Sequence, residues 1–180
     1  MEVAMSRTFD LILFDLDGTL IETAPEICDA VNDTLHQFRL PVVTQQQVND
    51  WIGHGTHTLL IQALAFAGET SVEEVRLSDR LALIAAEFDK HYLRRCGTRS
   101  YLYPQVRELL QALRAQGVKL AVVTNKESRY TTAILDAHQL SSVFDRVISG
   151  DTLAAKKPDP TGIISCLEQF EVPRSRALFV

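Results

Sequence analysis

The sequence lacks several features that would place it in a specialised class of protein. Its three cysteines, Cys28, Cys96 and Cys166, form no CxxC pattern and are odd in number, which favours reduced thiols over a disulfide framework or a zinc site. No apolar run approaches the length of a membrane span, and the first ten residues (MEVAMSRTFD) lack the apolar stretch of a signal peptide. We therefore expect a cytoplasmic protein.

The sequence also contains no run of lysine or arginine, and its formal net charge is −5. We therefore expect neither nucleic acid nor an anionic membrane surface as a partner; the oligomeric state is left open. Of the 180 residues, 46% are apolar and 23% are charged, an ordinary composition for a globular protein. This length suits one domain, or one core with a small insertion.

Four short apolar runs alternate with helical patterns along the chain. The first, at 9–14, ends in Asp15 and is typical of a buried parallel strand. Further strands are predicted at 120–123, 147–149 and 177–180. Helices are predicted between them, over 106–117, 129–140 and 161–170. This alternation predicts an α/β protein with a Rossmann-like, doubly wound parallel sheet.

The segment from 23 to 99 carries only helical patterns. Three capping boxes predict where helices begin: Thr23 with Glu26, Thr44 with Gln47, and Ser71 with Glu74. The last of these helices is expected to continue to Tyr92. Because no strand pattern interrupts the segment, we expect a compact helical cap at 23–99, inserted into an α/β core made of 1–22 and 100–180.

The strongest chemical signal is Asp15-Leu16-Asp17-Gly18-Thr19, directly after the first predicted strand. Open parallel sheets bind ligands at the carboxyl ends of their strands, and alternation along an extended chain puts Asp15 and Asp17 on the same side. Two neighbouring carboxylates repel unless a cation or a shared proton separates them, and Mg²⁺ is the usual cation beside phosphate substrates. An ordinary strand followed by an Asp-Gly turn is the alternative interpretation.

The stretch 10–20 (DLILFDLDGTL) resembles the first motif of the haloacid dehalogenase superfamily. The resemblance implies that Asp15 is a nucleophile that attacks phosphorus, that Asp17 is a general acid and then a general base, and that both aspartates hold Mg²⁺. Gly18 and Thr19 are then expected to contact the phosphate. An acid at the position of Asp17 favours phosphoryl transfer over the cleavage of carbon–halogen bonds.

Two later segments resemble the second and third motifs of the same superfamily. Thr124 is implied to hydrogen-bond the transferring phosphoryl group, with Asn125 adding its amide. Lys157, in the sequence AAKKPDP, is implied to neutralise the carboxylate and phosphate charges of the site. Taken alone, Thr124 and Asn125 would be an ordinary strand end, and the neighbouring Lys156 is interpreted as a solvated lysine.

The fourth motif of the superfamily is an acidic pair that helps to hold Mg²⁺ after the strand that follows the lysine helix. Here that strand is predicted at 177–180, and the sequence ends at Val180. We therefore expect the C-terminal part of the core to be missing and this polypeptide to have little or no phosphatase activity. Its last strand would be an exposed sheet edge, which favours low stability or self-association. A partial sequence of a longer enzyme is favoured over a genuinely short product.

Substrate choice is expected to lie in the helical cap, whose closure would exclude water. Stretches such as WIGHGTHTLL and LAVVTNKESRYT are similar to bacterial phosphoglycolate phosphatases. This resemblance implies that a small phosphorylated metabolite, 2-phosphoglycolate, is hydrolysed to glycolate and phosphate. His54, between Gly53 and Gly55, is a candidate contact for the substrate carboxylate; a surface histidine in a helix-breaking loop is the alternative.

Other functions are compatible with the same motifs. A pyrophosphatase, a sugar-phosphate phosphatase or a phosphomutase would use the same core with a cap of different preference. A non-catalytic homologue would bind phosphate ligands or another protein, and would lack the fourth acidic motif.

Overall fold

The computed structural model describes residues 8–180 and has six strands and eight α-helices in that range. The strands are β1 (Leu11–Phe14), β2 (Ile21–Glu22), β3 (Tyr101–Leu102), β4 (Lys119–Val123), β5 (Arg146–Ile148) and β6 (Ala177–Phe179). The helices are α1 (Ala24–Gln37), α2 (Gln45–Trp51), α3 (Thr56–Ala67), α4 (Val72–Leu77), α5 (Leu81–Arg95), α6 (Val106–Ala115), α7 (Ser128–Ala137) and α8 (Thr161–Phe170). None of the helices described is both long and apolar enough to cross a membrane.

Four of these strands form a parallel sheet in the order β5-β4-β1-β6. In β1, Leu11 lies opposite both Lys119 of β4 and Ala177 of β6. The amide of Asp15 donates to the carbonyl of Val180 at 3.0 Å, so the pairing with β6 extends to the end of β1. This parallel sheet with flanking helices confirms the predicted α/β fold class and its four predicted strands.

The two faces of the sheet bury different side chains, because neighbouring residues of a strand point to opposite faces. Leu11 and Leu13 of β1 pack with Cys166 of α8 on one face. Ile12 and Phe14 belong to a larger apolar cluster on the other face, which continues into the helices between β2 and β3. The sheet is therefore covered on both sides, as a parallel sheet requires.

The chain between β2 and β3 forms five helices, α1 to α5, of which α1 packs along α5 and α3 packs against α4. Two predicted capping boxes are confirmed here: Thr44 with Gln47 begins α2, and Ser71 with Glu74 begins α4. The strands β2 and β3 pair antiparallel where the chain leaves and re-enters the core. The cap boundaries after residues 22 and 99 stay predictions.

The third predicted capping box, Thr23 with Glu26, is wrong. Thr23 makes no side-chain cap hydrogen bond, and its hydroxyl donates instead to Oδ1 of Asp17. Glu26 is fully buried, and its Oε2 accepts from the amides of Arg99 at 3.4 Å and Ser100 at 3.0 Å. Both side chains bond to residues outside the four-residue pattern, so that pattern does not reveal their partners.

The helix predicted to run from Ser71 to Tyr92 is also wrong, because the chain forms two helices there. The hydroxyl of Ser78 accepts from the amide of Arg80 at 3.2 Å. A serine that bonds to its local backbone competes with helical hydrogen bonds, and α5 starts only at Leu81. The pair β2 and β3 was not predicted, since two-residue strands are too short to show a period.

Candidate active site

A cavity of about 370 Å³, including its mouth, lies at the carboxyl end of β1. Its lining from the core consists of Asp15, Asp17, Thr124, Asn125 and Lys126. Its lining from the segment before α3 and the first residue of that helix includes Ile52, Gly53, Gly55 and Thr56. Ligands of parallel sheets bind at this edge. The structure thus brings three of the predicted catalytic side chains together here, and the fourth, Lys157, contacts the first of them.

Asp15 follows β1 directly, and both of its carboxylate oxygens have protein partners. Oδ1 accepts from the amide of Leu16 at 2.7 Å, and Oδ2 lies 2.7 Å from Nζ of Lys157. The side chains of Asp15 and Lys157 are 29% and 19% exposed, so water screens their attraction only in part. The ammonium therefore balances the charge of this carboxylate inside the site, while the predicted role of Asp15 as nucleophile stays a prediction.

Asp17 is held by two groups that approach the same oxygen. Oδ1 accepts from the hydroxyl of Thr23 and lies 3.0 Å from Nζ of Lys126. Among residues 8–180, no donor contacts Oδ2 of Asp17. That second oxygen is therefore available to give or to take a proton. The turn after Asp17 depends on Gly18, whose φ of +76° is a conformation that side chains disfavour.

Lys126 is the member of the site that sequence reasoning missed. It is only 2% exposed, and its Nζ donates to the hydroxyl of Tyr92 at 2.7 Å, in addition to the ion pair with Asp17. Its place two residues after Thr124 was an available signal. A lysine in a loop is nevertheless almost always solvated, and the partner Tyr92 belongs to α5, far away along the chain.

Asn125 fastens three segments around the cavity. Its Nδ2 donates to the carbonyls of Gly53 and Lys157, each at 3.0 Å, and its Oδ1 accepts from the amide of Lys157 at 2.9 Å. Gly150 lies so close that a β-carbon there would be 2.1 Å from the carbonyl oxygen of Asn125. These contacts position Lys157 by its backbone; the predicted contact between Asn125 and phosphate stays a prediction.

Thr124 directly follows β4 and is 4% exposed. Its amide donates to the carbonyl of Ile148 in β5 at 2.9 Å, so the sheet itself fixes its position. Its Oγ1 accepts from the amide of Lys126 at 3.2 Å, which leaves the hydroxyl proton of Thr124 available to a ligand in the cavity.

A second link joins the core to the start of α3. The hydroxyl of Thr56 donates to the carboxylate of Glu127, and both side chains are buried. Gly55 precedes this contact with a φ of +90°, and a β-carbon there would lie 3.1 Å from the carbonyl oxygen of Asn125. The backbone conformation and the tight approach to the core therefore both favour glycine at this position.

The remaining predicted substrate contacts lie toward the outside. Gly18 is exposed and Thr19 is half-buried, in the turn after Asp17. His54 is exposed, and within the described part of the chain it is not among the residues that line the cavity, although its neighbours Gly53 and Gly55 are. The contacts of these three residues with substrate stay predictions.

Burial changes the acid–base properties of the groups beneath the cavity. It raises the pKa of the Tyr92 phenol well above its usual value, and the charge of Asp17 adds to the effect. Burial also raises the pKa of Glu26 and that of the Cys96 thiol, the latter to about 12. Tyr92 is therefore a neutral partner for Lys126, and the Cys96 thiol remains protonated and unreactive near neutral pH.

The donor set at this edge fits a magnesium ion bound together with substrate. Residues 8–180 contain no cluster of three or more histidine, cysteine, aspartate or glutamate side chains that could hold a metal. Mg²⁺, however, keeps several waters and is usually bound by one or two carboxylates and by substrate phosphate. Asp15 and Asp17 both line the cavity, and the carboxylate of Asp15 with the backbone carbonyl of Asp17 would supply such oxygen ligands.

Comparison with known proteins identifies the family. The model of the haloacid dehalogenase-like hydrolase family matches residues 12–180. Phosphoglycolate phosphatase of Aliivibrio fischeri is 36% identical over 176 residues, which are 98% of this chain and 77% of that protein. Phosphoglycolate phosphatase of Pseudomonas savastanoi is 35% identical over 170 residues, which are 94% of this chain and 61% of that protein. The chain therefore belongs to the haloacid dehalogenase-like hydrolase family.

Solved structures share this architecture. A crystal structure described as a predicted phosphoglycolate phosphatase from Haemophilus somnus has a TM-score of 0.89 and 33% identity, and the match covers 97% of this chain and 77% of that one. A structure described as a putative β-phosphoglucomutase from Thermotoga maritima has a TM-score of 0.73 at 22% identity, so it shares the fold alone.

Proposed function

We propose that this protein is a Mg²⁺-dependent phosphatase that converts 2-phosphoglycolate to glycolate and phosphate. The observation that carries the proposal is a single cavity lined by two aspartates, each of which is paired with a lysine: Asp15 with Lys157 and Asp17 with Lys126. The names of relatives at 35% and 36% identity support the substrate. Free cysteines support a reducing compartment, so we also propose the cytoplasm.

In the first step, a carboxylate oxygen of Asp15 attacks the phosphorus, and the bond from phosphorus to the glycolate oxygen breaks. That oxygen takes the proton carried by Oδ2 of Asp17, and glycolate leaves. Lys157, 2.7 Å from Asp15, balances the negative charge that gathers around the transferring group. The hydroxyl of Thr124 donates to a phosphoryl oxygen. The product of the step is an aspartyl-phosphate on Asp15.

In the second step, the ionised Asp17 takes a proton from water as the water oxygen attacks the phosphorus. The bond between phosphorus and Asp15 breaks, which releases phosphate and restores both carboxyl groups to their starting states. Dividing the hydrolysis in this way replaces one difficult displacement by two easier ones. Proton transfer by Asp17 is worth about 10²–10⁴-fold in rate.

Asp15 and Asp17 would hold Mg²⁺, which when bound supplies positive charge that stabilises the phosphoryl oxygens in the transition state. The protein itself orients the reacting groups. Asn125 binds the backbone of Lys157 on one side and the carbonyl of Gly53 on the other, so the charge-balancing lysine and the edge of the cap are held in one arrangement. Such fixed geometry is a large part of enzymatic rate enhancement.

Phosphate release from three substrates tests the proposal. The protein, expressed from its complete reading frame, is assayed with 2-phosphoglycolate, pyrophosphate and a sugar phosphate in millimolar Mg²⁺. We expect the highest kcat/KM with 2-phosphoglycolate. A preference for either other substrate would retain the phosphatase chemistry but reject this substrate, and no turnover of any of them would reject the enzyme.

A further inference from the structure

Lys126 is an unusual residue for the interior of this protein. It is 2% exposed, which places it with the large aromatic and aliphatic side chains that are fully buried. A buried ammonium group is strongly destabilising unless it is paired. Its Nζ lies 3.0 Å from Oδ1 of Asp17, 2.7 Å from the hydroxyl of Tyr92, and 5.0 Å from the centre of the Tyr92 ring. Within residues 8–180, the polar partners of this ammonium thus belong either to the proposed acid or to the cap.

The cap partner is held firmly. Tyr92 is fully buried in α5, and its ring centroid lies 4.5 Å from that of Tyr130 in α7 and 5.7 Å from that of Phe88. This aromatic cluster spans the cap and the core. The Tyr92 hydroxyl is therefore a fixed acceptor, and removing that one oxygen would leave the packing of the ring intact.

The core partner is restrained in a way that matters for proton transfer. Both donors to Asp17, the Thr23 hydroxyl and the Lys126 ammonium, approach Oδ1. In the described range 8–180, Oδ2 receives no donor. When Asp17 carries a proton, that proton therefore belongs on Oδ2, because Oδ1 already accepts two hydrogens. The orientation of the carboxyl group thus depends on Lys126 together with Thr23.

We propose that Lys126 is a positioning residue that holds Asp17 for proton transfer and ties this orientation to the cap through Tyr92. The inference rests on the proposed phosphatase function. It adds a residue that acts through Asp17 without touching the reacting atoms, and it gives the cap helix α5 a share in setting the geometry of the acid.

The leaving group offers a test that a purely structural role would not pass. Phenyl phosphate and 4-nitrophenyl phosphate are similar in size, but phenolate is the more basic leaving group and depends more on protonation by an acid. Their kcat/KM values report the formation of the aspartyl-phosphate. If Lys126 positions Asp17, replacing Lys126 must slow the hydrolysis of phenyl phosphate more than that of 4-nitrophenyl phosphate.

The experiment compares Lys126→Met and Tyr92→Phe with the unmodified protein. For Lys126→Met we expect kcat/KM to fall by about 30-fold or more with phenyl phosphate, a partial loss of the roughly 10²–10⁴-fold that acid–base catalysis supplies. With 4-nitrophenyl phosphate we expect a fall of less than about 3-fold. For Tyr92→Phe we expect the same selectivity with a smaller loss. Two variants serve as matched controls. Lys90→Met changes an exposed lysine of α5, the helix that carries Tyr92, and Tyr101→Phe changes an exposed tyrosine.

Each outcome decides. Equal losses with the two esters, or no loss in either variant, would overturn the positioning role. If circular dichroism shows that Lys126→Met does not fold, Tyr92→Phe decides alone by the same criterion, since it removes one oxygen only. If the unmodified protein, expressed from its complete reading frame as above, hydrolyses neither ester nor 2-phosphoglycolate, the proposed function itself fails. That result is distinct from uniform losses in an active enzyme.

Discussion

Nζ of Lys157 lies 2.7 Å from Oδ2 of Asp15, which joins the loop after β5 to the end of the central strand. The backbone of Lys157 is fixed independently, because Asn125 bonds both its amide and its carbonyl. The ammonium therefore approaches the carboxylate from a defined direction. An acidic protein that binds phosphate needs local positive charge at the binding site. Here contacts between three separate loops hold that charge in place.

Replacing Lys157 by methionine is expected to lower kcat/KM for 2-phosphoglycolate by about 10²–10³-fold, the usual effect of removing one electrostatic contact to the transition state. The side chain keeps its length but loses the charge that balances Asp15. Lys156→Met is the matched control, because Lys156 is the exposed neighbour in the same loop. Similar losses of kcat/KM in the two variants would contradict a specific role of the contact between Lys157 and Asp15.

Gly150→Ala is expected to destabilise the protein and to lower its activity together. The added β-carbon would lie 2.1 Å from the carbonyl oxygen and 2.7 Å from the carbonyl carbon of Asn125. Backbone atoms can yield only if the loop that carries Thr124 and Lys126 moves. We expect a loss of about 1–3 kcal/mol in the free energy of unfolding, as for other overpacked sites, measured by urea denaturation.

Gly162→Ala provides the comparison for this prediction. Its β-carbon would approach Cγ1 of Val123 at 3.0 Å, and a side-chain methyl can move aside. The helix α8 would also gain up to about 1 kcal/mol in intrinsic propensity. The loss in free energy of unfolding caused by Gly162→Ala should therefore be clearly smaller than that caused by Gly150→Ala. A Gly150→Ala variant as stable as Gly162→Ala would contradict the packing described.

Glu26 is expected to make stability depend on pH. Burial raises its pKa in the folded protein above the ordinary value of 4.5, so between those two pKa values the folded state holds a proton that the unfolded chain has lost. The contribution of this group to stability therefore falls as the pH rises through that window. Glu26→Gln removes the titration. The free energy of unfolding of this variant should therefore increase relative to that of the unmodified protein as the pH rises.

Urea denaturation of both proteins between about pH 5 and pH 7.5 measures this difference. Glu69→Gln, an exposed carboxylate of the cap, controls for the loss of one negative charge. A difference between Glu26→Gln and the unmodified protein that stays constant across this range would contradict the raised pKa.

Removal of divalent cations is expected to abolish turnover without unfolding the protein. Treatment with EDTA should reduce phosphate release by at least about 10²-fold, and added Mg²⁺ should restore it. Ca²⁺ should not, because it takes six to eight ligands in a looser geometry than Mg²⁺. Full activity in the presence of EDTA would reject the metal dependence, while a large fall in melting temperature would indicate a structural metal instead.

Much of the fold was predictable because its signals are local. Apolar runs marked β1 and β4, and the resemblance to known motifs singled out Asp15, which the structure places beside Lys157. Thr23 and Glu26 were misassigned because their partners, Asp17 and the amides of residues 99 and 100, lie outside the helix they begin.

Lys126 shows the other limit of sequence reasoning. A lysine in a predicted loop is normally expected to be solvated. Lys126 is buried because α5 packs against the loop after β4. Neither half of that contact carries a local signal, because the cap helix and the core strand are separated along the chain. Side chains with tertiary partners of this kind become visible only when the two segments are placed together.

Chemical trapping of the phosphoryl group on Asp15 tests the central claim most directly. The protein is mixed with 2-phosphoglycolate and Mg²⁺, quenched in acid, reduced with borohydride and digested, and the modified residue is located by mass spectrometry. The account predicts modification of Asp15 during turnover and none in Asp15→Asn. Turnover that proceeds with Asp15 unmodified, or with the group attached to another residue, would contradict it.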